Sequence, residues 1–145
     1  MSSSEKSFRR ELSYMKKGNE ELVREWFEKG EADFQTARFL HENRKYPEII
    51  VFHIQQAVEK YLKGFLISKG WKLEKTHDLV KLLNQAVTCN QDLQRFKEYC
   101  QKLTEYYIES RYPIGITTEY THQEIEDAIG HAQEIIESIK ALTQR

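Results

Sequence analysis

Three cations and a run of aromatic rings are the residues of this chain best suited to chemistry. Lys60, Lys63 and Arg111 could each hold a phosphate through charge-assisted hydrogen bonds, with Phe52 or a tyrosine stacked on the attached base. Five of the eight tyrosines, Tyr99, Tyr106, Tyr107, Tyr112 and Tyr120, cluster around Arg111. Gln56 and Glu59 share the helical stripe of Lys63 and complete the ligand-binding candidates: Gln56, Glu59, Lys60, Lys63, Tyr107, Arg111 and Tyr112. Each has a plainer alternative. Lys60, Lys63 and Glu59 also read as a solvated face, and Tyr106 and Tyr107 as plugs that close one end of a core while their hydroxyls stay wet. A backbone phosphate cradle is excluded, because Gly18, Gly30, Gly64, Gly70, Gly115 and Gly130 never gather ahead of a helix.

Acid–base and metal chemistry find less support. His77 and Asp78 adjoin a helix start without a nucleophile or a second acid. Asp78 is therefore expected to serve the helix N-terminus, and His77 to tie that helix to its neighbour by a hydrogen bond. A di-metal bundle site needs Glu-x-x-His pairs on one helical face; only Glu74/His77 and Glu119/His122 have the spacing, and both straddle helix starts. His41, His53 and His131 fall on three separate helices, and no Cys-x-x-Cys occurs, so neither metal nor cofactor is expected.

These side chains need helices to carry them. With two prolines and six glycines among many Glu, Lys, Gln and Leu residues, the composition is that of an all-α protein. Leu22, Val23, Trp26, Phe27, Phe34, Ala37 and Leu40 stripe a first long helix over residues 20–42. Pro47 opens a second that Gly70 ends, and Thr76 caps a short third helix through Ala86. The spacing Leu93, Phe96, Cys100, Leu103, Tyr107 marks a fourth. After a structured connection holding Pro113 and Gly115, Thr121-x-x-Glu124 is a capping box for the last, striped by Ile125, Ala128, Ile129, Ala132, Ile136 and Ile139. The expected architecture is an up-and-down bundle of four long helices plus one short helix.

The second helix has two faces. Ile50, Ile54, Val58, Tyr61 and Phe65 form the core side; Phe52, Gln56, Glu59 and Lys63 line the other, with Ile49 and Ile67 projecting in nearly the same direction. A single core consumes one face, so Phe52, Gln56 and Ile49 become dimer-interface candidates and a homodimer is expected.

At 145 residues the chain is long enough for one self-sufficient domain, and 22 basic against 23 acidic groups give no overall field toward nucleic acid or membrane. Cys89 and Cys100 are too few for a disulfide scaffold, and Cys100 reads as a buried thiol. Residues 1–19 read as a mobile basic leader, with Phe8, Leu12 and Met15 able to line one face of a short helix, and residues 20–145 as the domain. No apolar run has signal-peptide or membrane-spanning length, so a cytoplasmic protein is expected.

The string Phe52-His53-x-Gln55-Gln56-Ala57-x-Glu59-Lys60-x-Leu62-Lys63, then Thr76-His77-Asp78-Leu79, then Tyr106, Tyr107 and Arg111-Tyr112-Pro113, resembles the HEPN domain from about Trp26 to Leu142. The resemblance implies a small helical bundle that commonly forms homodimers. Several branches of that family are metal-independent RNA endonucleases or toxins with a closely spaced Arg and His. Here ten residues separate Arg111 from His122, and Arg38 and His41 lie too close together. The Arg-Tyr-Pro element instead resembles the branch encoded beside minimal nucleotidyltransferases. The resemblance thus implies a protein that binds a purine nucleotide or acts as accessory to a nucleotidyltransferase, in a pair of toxin–antitoxin type. An RNA endonuclease using Arg111 with a histidine from elsewhere in the dimer, and a purely structural dimerisation module, are the alternatives. RNA binding is not favoured.

Overall fold

A computed structural model describes residues 2–16, 18–110 and 119–144. Among the described residues six α-helices follow one another: α1 (Ser3–Lys16), α2 (Asn19–Glu42), α3 (Pro47–Ser68), α4 (Leu79–Cys89), α5 (Lys97–Ser110) and α6 (His122–Thr143), with a 3₁₀ helix at Gln91–Phe96 ahead of α5. The all-α bundle read from the sequence is the fold of the chain, with α2, α3, α5 and α6 as the long helices and α4 as the short one.

Helix α3 is the hub and packs against α2, α4, α5 and α6. Its Ile50, Ile54, Val58, Tyr61 and Phe65 are buried, as are Ile125, Ala128, Ile129, Ala132, Ile136 and Ile139 of α6, with Ile135 added to that stripe. Helices α2 and α3 run antiparallel, since Tyr61 meets Glu31 while His53 meets Asp33. Gly30 sets their separation: a Cβ there would lie 2.8 Å from the Tyr61 ring and 3.2 Å from the Ala57 carbonyl oxygen. Gly70 ends α3 in the left-handed region at φ 89°, where glycine carries no Cβ penalty.

Two local expectations need correction. Asp78, not Thr76, is the N-cap of α4: its carboxylate accepts from the Lys81 N–H at 3.1 Å, while the Thr76 hydroxyl accepts from the Asp78 N–H at 3.2 Å. Two tandem side-chain caps share the strap, and the later one starts the helix. The fourth helix is compound, because Asn90 caps a 3₁₀ segment first, and its three-residue turn accounts for the step from Leu93 to Phe96. Residues 3–16 form a helix, as the leader's spacing allowed, started by the Ser2 hydroxyl accepting from the Glu5 N–H at 3.2 Å. The proposed apolar face of that helix, Phe8, Leu12 and Met15, lies outside the described side chains. The capping box at Thr121 and Glu124 forms as read, with both reciprocal hydrogen bonds present.

No helix among the described residues is long and apolar enough to cross a membrane.

Candidate functional site

The polar stripe of α3 does not face solvent. Glu59 is 2% exposed and Lys63 6%, with Gln55 fully buried beside them. Glu59 is the hub of a network. One carboxylate oxygen accepts from Lys63 Nζ at 3.1 Å; the other accepts from Gln55 Nε2 at 3.3 Å and lies 3.0 Å from His77 Nδ1. Gln55 also donates to the His77 carbonyl at 3.2 Å, and Gln56 Nε2 donates to Gln55 Oε1 at 2.7 Å. The strap before α4 is thereby fastened to α3 by both the side chain and the backbone of His77, the structural role its position implied. The Lys63 ammonium sits 5.5 Å from the Trp26 ring centroid, in reach of a cation–π contact. Desolvating a carboxylate is tolerable only with donors on both oxygens, which Glu59 has.

Lys60 is also committed. It forms an ion pair with Asp33, whose other oxygen lies 2.8 Å from His53 Nδ1. Of the candidate phosphate ligands on α3, both lysines therefore already hold carboxylates within the chain. Arg111 and Tyr112 lie outside the described residues.

The two-face argument for α3 is corrected by the same geometry. As the central helix it is covered on both sides: Glu59 and Lys63 by the strap and Trp26, and Ile67 by Leu22, Val23 and Leu73. Only the N-terminal end of the second face stays open. There Phe52, 38% exposed, stacks on Tyr107 at 5.8 Å between centroids; Ile49, one turn earlier, is 45% exposed, and Ile108, following Tyr107, is 51% exposed.

The remaining tyrosines close the core. Tyr106 donates to Glu124 at 3.1 Å, and Tyr120 donates to the Tyr106 carbonyl at 3.0 Å, with the two rings edge to face. Burial first, and then the neighbouring carboxylates Glu124 and Glu109, push Tyr106 up to about 12; burial and Glu109 do the same for Tyr120. Such phenols stay neutral and serve as donors. Burial likewise pushes the Cys100 thiol up to about 12, as expected of an inert core cysteine.

One constellation was missed. His41, at the end of α2, meets His122 and Glu126, at the start of α6. The i,i+4 spacing of His122 and Glu126 was legible as one helical face, but His41 lies 85 positions before Glu126 and only the fold brings it there.

A family model described as "HEPN domain" matches residues 23–142. The crystal structure of TT1696 from Thermus thermophilus is 28% identical, with a TM-score of 0.69 over 82% of this chain and 96% of that one. An archaeal HEPN homologue, 24% identical, superposes with a TM-score of 0.68 over 83% of this chain and 97% of its own, a likeness of fold alone. No curated protein matches the chain. With a family model spanning most of its length, the chain belongs to the HEPN domain family.

Proposed function

We propose that this HEPN protein is a dimerising accessory module that serves a nucleotidyltransferase partner, in a pair of toxin–antitoxin type, rather than an RNA-cleaving enzyme. One observation carries the reading: the lysines of α3 are consumed by Asp33 and Glu59, whereas the large apolar side chains Ile49, Phe52 and Ile108 remain open beside Tyr107. A phosphate would have to displace a carboxylate from either lysine, and at Lys63 would also have to enter a nearly closed site. A protein surface needs only to cover the rings. The homodimer is proposed across this end of α3 and α5, with the Phe52 and Tyr107 pair of each copy meeting that of the other; the nucleotidyltransferase partner rests on the Arg-Tyr-Pro resemblance.

Analytical ultracentrifugation of the wild type and Phe52→Glu tests the dimer. The expected result is a wild-type dimer in the tens of micromolar and a folded, weakened or monomeric variant. A wild-type monomer throughout that range contradicts it, and loss of helical circular dichroism in the variant would make Phe52 a core residue instead. Inspection of the neighbouring gene and co-expression with a minimal nucleotidyltransferase found there test the partner; absence of such a gene, or separate elution of the two proteins, counts against the pairing. Metal-free incubation with RNA tests the enzyme alternative: cleavage that disappears in Arg111→Ala would put the endonuclease reading first.

A further inference from the structure

His41, His122 and Glu126 place three metal-ligating atoms within 4.8 Å of one another. His41 Nε2 lies 2.6 Å from Glu126 Oε2, and His122 Nε2 lies 3.9 Å from the same oxygen. The imidazoles are stacked, with centroids 4.5 Å apart and planes inclined by 22°. Two features separate this cluster from an ordinary surface ion pair. Stacking holds two rings that can each take a positive charge against a single carboxylate, so the carboxylate can compensate only one of them. The two ring nitrogens also converge on one oxygen atom, from helices whose sequence positions are far apart.

We infer that this cluster is a binding site for a borderline divalent transition ion, with Zn²⁺ as the leading case. Two neutral imidazoles and one carboxylate suit Zn²⁺ and related ions, whereas Ca²⁺ and Mg²⁺ take sets made of oxygen alone. Tetrahedral coordination at about 2.0–2.1 Å sets ligand atoms about 3.3 Å apart, between the two separations seen here. The near-parallel rings cannot both aim their in-plane lone pairs at one ion as they stand, so His122 must turn out of the stack, and this adjustment falls on mobile groups. The side chains of His122 and Glu126 are 55% and 58% exposed, while that of His41, at 12%, is held by its surroundings. Binding takes both rings as neutral imidazoles with Nε2 unprotonated, any proton there passing to solvent or to Nδ1. A fourth coordination position then opens to water, the arrangement of sites that can also accept an anionic ligand. Because His41 ends α2 and the other two residues start α6, the ion clasps the two helices where they meet.

The test uses the full chain stripped with a chelator and titrated with Zn²⁺ by calorimetry and with Co²⁺ by visible absorption. One ion per chain is expected, with the intense d–d bands of low-coordinate cobalt, and at least a tenfold weaker affinity in both His122→Ala and Glu126→Gln. Zn²⁺ should raise the melting temperature of the wild type but not of His122→Ala, because an ion that binds the folded state alone stabilises it. Both variants alter exposed side chains, and unchanged helical circular dichroism without metal certifies their folding. Absence of cobalt bands at stoichiometric concentration, or equal affinities in the wild type and His122→Ala, overturns the assignment and leaves an ion pair with a stacked neighbour.

Discussion

Lys60 and Lys63 lie on the same side of α3, yet their environments set different consequences for losing them. Lys63 and Glu59 form a buried pair, and truncating one partner leaves an uncompensated charge, a loss of about 3–5 kcal/mol in general. Gln55 and His77 remain on Glu59, so Lys63→Ala should fall at the lower end of that range. Lys60→Ala should cost no more than about 1 kcal/mol, since its pair with Asp33 is partly solvated and His53 stays in place. Urea denaturation of both variants checks the contrast, and equal losses would mean that Glu59 is not a closed hub. The two cysteines differ in the same way. Cys89 is exposed and Cys100 fully buried, with its thiol pushed up to about 12, so a thiol reagent should modify one group in the native protein and the second only in denaturant.

At the scale of elements, the α2–α3 hairpin depends on a residue without a side chain. Replacing Gly30 by alanine raises helix propensity by about 1 kcal/mol, but the new methyl meets the Tyr61 ring at 2.8 Å and the Ala57 carbonyl at 3.2 Å. Tyr61 is buried and its hydroxyl donates to Glu31, so the ring cannot simply swing away. Overpacking of this kind costs about 1–3 kcal/mol, and Gly30→Ala should therefore be net destabilising in thermal melts despite the better helix former. A stabilised variant would show that the two helices can separate at no cost. The same hairpin explains why sequence periodicity located α3 but misjudged its second face. Periodicity shows which residues align, whereas the hub position of α3 among four helices decides whether each aligned stripe is covered.

For the whole molecule, the buried phenols predict how the bundle fails at high pH. Tyr106 and Tyr120 ordinarily ionise at 10.0, and both are pushed up to about 12 in the fold. A raised folded value means that the protonated form is favoured on folding, so this contribution is complete below pH 10 and is lost as pH climbs through 12. Tyr61 is shifted in the same direction, by burial and then by Glu31. Helical circular dichroism should accordingly decline over this interval, and Tyr106→Phe should flatten the decline because it has nothing to ionise. A wild type whose stability ignores pH there would contradict the placement of these rings. Ligand binding belongs to the same scale. Calorimetry with ATP and GTP should show no dependence on Lys60, and an affinity that falls in Lys60→Ala would restore the α3 cations as phosphate ligands.

The sequence alone determined the helices and the family, because both rest on local order. Heptad-like spacing, the Pro47 start, the Gly70 stop and the Thr121–Glu124 capping box are written within a few residues of where they act, and the His-Asp and Arg-Tyr-Pro strings are linear. Tertiary structure decided what each polar side chain meets. Glu59 and Lys63 read equally well as a solvated stripe, a ligand grip or an interface until Trp26 and His77 covered them. Likewise His41 had no legible partner until α6 came to rest against the end of α2. Pairings across tens of residues depend on helix packing angles and separations, quantities that no local spacing encodes.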